Sequence, residues 1–464
     1  TNISGGEALV RQILLGRRFW QAEFNVDVDH LWLPDVFGYS AALPQIMRQA
    51  GIDTFATQKL SWSLINRFPH HSFQWEGVDG SVVIAHMFPE DTYNGPALPR
   101  SVRKIETDYA DADVSDHALM VFGIGDGGGG PGSEHLERLH RIRDLAGLSP
   151  VRPSSAADFF QRWREDAPNF ARWVGELYLE RHQGTLTTQA AVKRGNRKME
   201  KALRELEMLA LIVECQLGRP YPRQDLQAWW EETLLYQFHD ILPGSSIKRV
   251  YDECIPRYEQ MLSQVKAQIK KCLEALAAHV DSGNIIEPVL VFNSLPWART
   301  ESIRTAAGVV SVSVPSCGYA VVSGQPTSAH PALKASPTSL ENDCILASFD
   351  DGGRLTRLVH KQSDRQILAP ESVGNDLVMF PDLGDAWDFP MDYHDLPTQH
   401  LRRIHAEARV EGDRAILEQR FEFGHSWLTQ RIVLTAGSPR LDFHCQAQWR
   451  ETSTMLRVRF PVDV

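Results

Sequence analysis

An aspartate follows a proline at the end of a short apolar run, in Leu31-Trp-Leu-Pro-Asp-Val-Phe-Gly-Tyr-Ser40. Pro34 restricts the residue before it to extended geometry, and Gly38 allows a sharp turn. Asp35 therefore stands where a strand gives way to a turn, the place at which α/β folds present side chains to ligands. It either works in a cleft or caps the helix opened by Ser40 and Ala41. A second carboxylate, Asp126, ends another apolar run and sits in Gly123-Ile-Gly-Asp-Gly-Gly-Gly-Gly130. Gly123, Gly125 and Gly128 have the spacing of a dinucleotide-binding loop. The acid expected about twenty positions later, after a second strand, is missing, because Asp144 falls inside the next helical stretch. Asp126 would also repel a pyrophosphate. The glycines are read instead as letting backbone approach a ligand, with Asp126 exposed as a candidate general acid/base.

A third group is Phe238-His239-Asp240, followed by Pro243-Gly244. Imidazole and carboxylate side by side at a helix end can point into a cleft, and both are ordinary zinc ligands. The other reading is that His239 interacts favourably with the helix C-terminus. His70, His71 and His86 are read as structural. In Asp385-Ala-Trp-Asp388, Trp387 either offers a flat face to a ligand or anchors a buried loop.

The elements that must hold these residues follow from periodicity. Residues 1–150 alternate strand-like runs (31–33, 54–56, 73–75, 82–86, 118–122) with helical stretches (6–17, 41–50, 99–109, 134–145). That alternation predicts a β/α barrel-like domain with parallel strands. Residues 151–280 begin with a connection and a short helix. Apolar residues then recur at helical spacing in three segments, around Met199–Val213, Leu226–Phe238 and Val250–Leu273. They predict a three-helix bundle contributing His239 and Asp240 to the site. Residues 281–464 carry short strands punctuated by Gly, Pro, Asn and Asp, which predicts an antiparallel β-sandwich. The fold class is multidomain, α/β then α then β.

The net charge of −11 argues against a nucleic-acid partner, which needs clustered Lys and Arg. No run of about 18 apolar residues predicts a membrane span. Six scattered cysteines, without metal-ligand spacing, read as reduced structural thiols of a cytoplasmic protein. Thr1 has no initiator Met and no signal pattern after it, so it is not expected to be a natural beginning.

Taken in order, several segments resemble the α-mannosidases of glycoside hydrolase family 38. They are Leu31–Gln45, Phe55–Trp62, Phe73–Ser81, Phe122–Gly130, Tyr178–Gln189 and Tyr236–Ser245. The resemblance implies a zinc-dependent retaining α-mannosidase that hydrolyses a glycan by double displacement, and it allows a homo-oligomer. Such an enzyme needs two carboxyl groups about 5–5.5 Å apart, one to attack the anomeric carbon and one to protonate the leaving oxygen. On this resemblance Asp35 is the nucleophile and, with His239, a zinc ligand, and Asp126 is the acid/base. Phe37, Lys59, Tyr93 and Asp240 line the sugar pocket. For Phe37 a core role stays open, and for Lys59 and Tyr93 a surface one. Lys59 stands where some members have Arg, so a bidentate contact is lost.

One departure matters. The family's early His-x-Asp strand, with two further zinc ligands and a nearby Trp, has no match before Asp35; Asp29-His30 reverses its order. Two of four expected ligands are present, and zinc sites need at least three. The chain is expected to be a fragment lacking that strand and the C-terminal β region, with weak metal binding and its own activity left open. Two other readings remain: a non-catalytic carbohydrate-binding protein on the same scaffold, and a metal-dependent deacetylase on a related barrel.

Overall fold

The computed structural model describes residues 2–126, 128–325 and 332–463. Gly127 of the glycine run and Val464 of the last expected strand lie outside the described residues. The chain forms two compact units. One comprises Thr1–Lys270 with Ala386–Asp388, and the other Lys271–Asp385 with Phe389–Val464.

The first unit opens with α1 (Gly6–Phe24), which runs beyond the expected stretch until Asn25 adopts a left-handed conformation and ends it. Its strands are β1 (His30–Trp32), β2 (Thr54–Thr57), β3 (Ser72–Glu76), β4 (Val82–Met87) and β5 (Ala171–Val174). They form one sheet in the order β1-β2-β4-β3-β5. β1, β2 and β4 are mutually parallel, as expected. β3 is not: it pairs antiparallel with β4, so the sheet is mixed. The cause is the link Gly77–Ser81, far too short for the crossover that parallel neighbours require. The run 118–122 is not a strand and makes only a single bridge, Phe122 to Gly95. The Leu119 N–H is donated instead to the His86 imidazole.

Alternate strand residues point to opposite faces. Phe55, Phe73, Trp75 and Val83 pack on one face with Leu43 and Met47 of α2 (Leu43–Gln49). Ala56 and Phe88 join the opposite cluster, with Phe159, Phe160 and Trp163. Between β4 and β5 in sequence come α3 (Pro99–Asp108), α4 (Ser133–Ile142) and α5 (Ala156–Trp163), the last supplying the three aromatics. α6 (Ala190–Leu217), α7 (Arg223–Leu235) and α8 (Lys248–Ala277) follow. α6 and α8 approach so closely at Gly195 that an added Cβ would meet the Tyr258 ring at 2.7 Å.

The second unit holds several antiparallel sheets. Strands from 334 to 366 form one, and strands from 402 to 448 another. Leu340, Ile345 and Leu355 of the first pack with Leu417, Ile432 and Leu434 of the second in one buried cluster. Among the described residues no helix is long and apolar enough to cross a membrane. The six cysteines are free thiols.

The three histidines read as structural are spent on the fold. His70 lies 2.9 Å from Asp111, which also accepts the backbone N–H groups of His71 and Ser72. His86 is fully buried, accepts from Leu119 at Nε2 and lies 3.1 Å from Ser72 Oγ at Nδ1. Burial pulls its pKa from 6.5 down to about 3. Below pH 6.5 the unfolded chain takes up a proton that the native site refuses until about pH 3. The stability from this site is therefore complete above 6.5 and is lost as pH falls towards 3, by at most about 1.4 kcal/mol per pH unit. We expect Tm to fall from pH 7 to 5, and His86→Gln, which cannot ionise, to flatten that fall. Equal slopes for the two proteins would contradict the assignment.

Candidate active site

The carboxyl-terminal ends of β1, β2 and β4 share one edge of the sheet, and the segments after them carry Asp35, Lys59 and Tyr93. The Asp35 turn is braced from beneath. Leu33 N–H donates to Ala56 O, and the buried Tyr39 hydroxyl donates to Leu33 O at 2.8 Å. Gly38 has φ +90° there, and a Cβ would press on Leu177 O at 3.3 Å, so glycine is what the turn admits.

Around Asp35 three groups converge. Lys59 Nζ lies 2.6 Å from Oδ1, and the lysine side chain is only 6% exposed. Oδ1 has no partner at ideal hydrogen-bond angle, so the contact is a close ion pair. The Tyr93 hydroxyl donates to Oδ2 at 2.7 Å. His239 Nε2 lies 3.4 Å from the same oxygen. Burial alone would raise the Asp35 pKa, but the His239, Lys59 and Tyr93 contacts outweigh it and hold it down at about 2. Asp35 is thus an ionised, oriented carboxylate at neutral pH. Burial raises the Tyr93 phenol, and the charges of Asp35, Asp126 and Asp240 raise it further, so it stays a donor.

His239 and Asp240 lie in the turns that follow α7, which ends at Leu235 rather than reaching Phe238. Asp240 Oδ2 is 3.5 Å from His239 Nε2, and its Oδ1 accepts from Ser245 Oγ at 2.6 Å. The Pro243–Ser246 turn closes over it, with Ser245 N–H and Ser246 N–H donating to the Asp240 carbonyl. Gly244 has φ +96°, and a Cβ would lie 2.6 Å from Thr188 O. Phe37 is half-buried rather than core, with its ring 4.8 Å from His182, 6.3 Å from His239 and 5.4 Å from Lys59 Nζ. Asp126 is exposed. Asn94 Oδ1 accepts the backbone N–H groups of Gly125 at 2.6 Å and Asp126 at 3.1 Å, which ties the loop to the segment carrying Tyr93.

Asp35 and His239 also share a cavity of about 630 Å³, walled by β1, α1 and the end of α7. Phe37, Lys59, Tyr93 and Asp240 are not among its walls, so it reaches the pair from the α1 side. An oxygen and a nitrogen 3.4 Å apart match two corners of a tetrahedral zinc with bonds of about 2.0–2.1 Å. Among the described residues no group of three or more His, Cys, Asp or Glu could hold a metal. The donors therefore fit half of such a site. His30 Nδ1 lies 2.8 Å from its neighbour Asp29.

Residues without an assigned role in the sequence also border the site. His182 packs against Phe37 and pairs with Asp388, 2.9 Å from Nδ1. Trp62 lies 3.8 Å from Lys59 Nζ, ring centroid to nitrogen. A Trp three residues after the lysine was a visible signal; the His182–Asp388 pairing had none.

Residues 1–176 match the family model for the glycosyl hydrolases family 38 N-terminal domain, 180–276 the alpha mannosidase middle domain, and 340–464 the family 38 C-terminal domain. The chain is 39% identical over its whole length to alpha-mannosidase 2C1 of Homo sapiens, covering 46% of that protein. It is 31% identical to alpha-mannosidase G of Dictyostelium discoideum over 98% of this chain and 48% of that protein. The chain spans about half the length of the curated relatives it matches. The crystal structure of an alpha-mannosidase from Enterococcus faecalis V583 has the same fold, with a TM-score of 0.77 at 16% identity, over 99% of this chain and 65% of that one.

Proposed function

The chain belongs to glycosyl hydrolase family 38, and from that premise we propose that it carries the nucleophile and half the metal site of a retaining α-mannosidase acting on terminal α-mannosyl residues of glycans. The observation that carries this reading is the meeting of Asp35 with Lys59, Tyr93 and His239. In the first step Asp35 attacks the anomeric carbon while the Asp126 carboxyl passes its proton to the departing glycosidic oxygen. The C–O bond breaks and a mannosyl ester on Asp35 forms. In the second step the Asp126 carboxylate takes a proton from water, the water oxygen bonds to the anomeric carbon, and Asp35 leaves as carboxylate. Lys59 keeps Asp35 ionised, Tyr93 fixes its rotamer, Phe37 walls the ring, and Asp240 accepts a sugar hydroxyl. Asp35 and His239 would hold two corners of a zinc site, and the ion would supply positive charge to orient adjacent sugar hydroxyls.

On the same reading the first unit is a β/α barrel-like scaffold with a three-helix bundle, and the second an antiparallel sandwich. A cytoplasmic setting agrees with six free thiols. The test uses the full-length gene product. Chelation should abolish hydrolysis of a nitrophenyl α-mannoside and zinc should restore it. His239→Ala should weaken zinc binding by more than about 10²-fold, exceeding the loss from an outer-shell partner. Full turnover by metal-free protein would reject the zinc reading, and release of acetate from an N-acetylated sugar with no hydrolysis of the mannoside would reject the glycosidase.

A further inference from the structure

The segment Ala386–Asp388 lies in sequence within the second unit yet belongs to the first by its contacts. Its mount is firm. Asp388 accepts the His182 backbone N–H and lies 2.9 Å from His182 Nδ1, and Arg181 Nε is 3.3 Å from the same carboxylate. His182 itself is buried, with φ +61°, a left-handed conformation that a non-glycine residue adopts only when its surroundings impose it. Gly184 admits the segment, since a Cβ there would lie 2.8 Å from Trp387 O. What this mount presents is an indole that is 38% exposed, so Trp387 is not a buried anchor.

The surroundings of Trp387 are those of a sugar platform. Its ring lies 6.2 Å from His182, whose other neighbours are Trp62 at 5.9 Å and Phe37 at 4.8 Å. Trp62 is 39% exposed, with the Arg181 guanidinium 5.2 Å from its centroid. A row of aromatic faces edged by guanidinium and carboxylate matches a hexose, which has an apolar C–H face and a rim of hydroxyls. The row is continuous with Asp35, because Lys59 touches Asp35, Phe37 and Trp62 together.

We infer that Trp387, with Trp62 and Arg181, forms a second saccharide subsite that receives the leaving-group sugar. This rests on the α-mannosidase reading above. Because the platform is fixed before ligand arrives, little ordering cost falls on binding. The site selects a neutral hexose as leaving group.

The experiment compares kcat/KM of the full-length gene product for an α-linked mannobiose and for α-mannosyl fluoride, whose leaving atom reaches no subsite. In Trp387→Ala the ratio of disaccharide to fluoride should fall about tenfold, the scale of one aromatic contact. Trp387→Phe, which keeps an aromatic face, should recover most of it. Mannobiose should bind an Asp35→Asn protein about tenfold more weakly when Trp387→Ala is added, a measurement independent of turnover. An unchanged ratio and unchanged binding would overturn the subsite. A wild-type protein that cleaves neither substrate would overturn the glycosidase reading, and the subsite with it.

Discussion

Asp35→Asn in the full-length gene product abolishes turnover of a nitrophenyl α-mannoside, with a loss on the order of 10⁴-fold or more, as for other covalent nucleophiles. The amide is nearly isosteric but cannot attack the anomeric carbon, and it removes the charge that Lys59 faces at 2.6 Å. That lysine is buried, so its ammonium loses a compensating charge. The pair is partly wet, with Asp35 22% exposed, so the stability loss should be modest, about 1–3 kcal/mol. Circular dichroism should report a native fold and a lowered Tm. Turnover like wild type would remove Asp35 from the mechanism.

Asp126→Ala should separate the two steps. Loss of a general acid costs about 10²–10⁴-fold on a glycan with a poor leaving group. A dinitrophenyl mannoside, which needs no protonation, should still load Asp35, and the ester should then accumulate because water lacks its base. Azide, needing no base, should restore turnover and give α-mannosyl azide, the product of two inversions. A substrate-independent loss without azide rescue would assign the acid/base elsewhere. Asn94, through its two bonds to the loop backbone, sets where that carboxyl can reach.

Much of this site was legible because local chemistry punctuates it. Pro34 and Gly38 bracket Asp35, and Pro243 and Gly244 close the turn over Asp240. The strands before Asp35, Lys59 and Tyr93 show as apolar runs, so their ends were readable. β3 departs from the parallel pattern that alternation predicts, because the short Gly77–Ser81 link forbids a crossover. The run 118–122 has strand-like composition but spends Leu119 N–H on a buried imidazole, a choice no periodicity displays. Long-range pairings were invisible. Lys59 meeting Asp35 depends on β1 and β2 being neighbours, and Asp388 clamping His182 depends on a segment returning from far along the chain.

The most direct test of the central claim is to trap the mannosyl ester. A fluorinated mannosyl fluoride that loads quickly and hydrolyses slowly, followed by proteolysis and mass spectrometry, should place one mannosyl label on the peptide containing Asp35. Label on Asp126 or Asp240, or no label together with a β-configured first product by NMR, would contradict it.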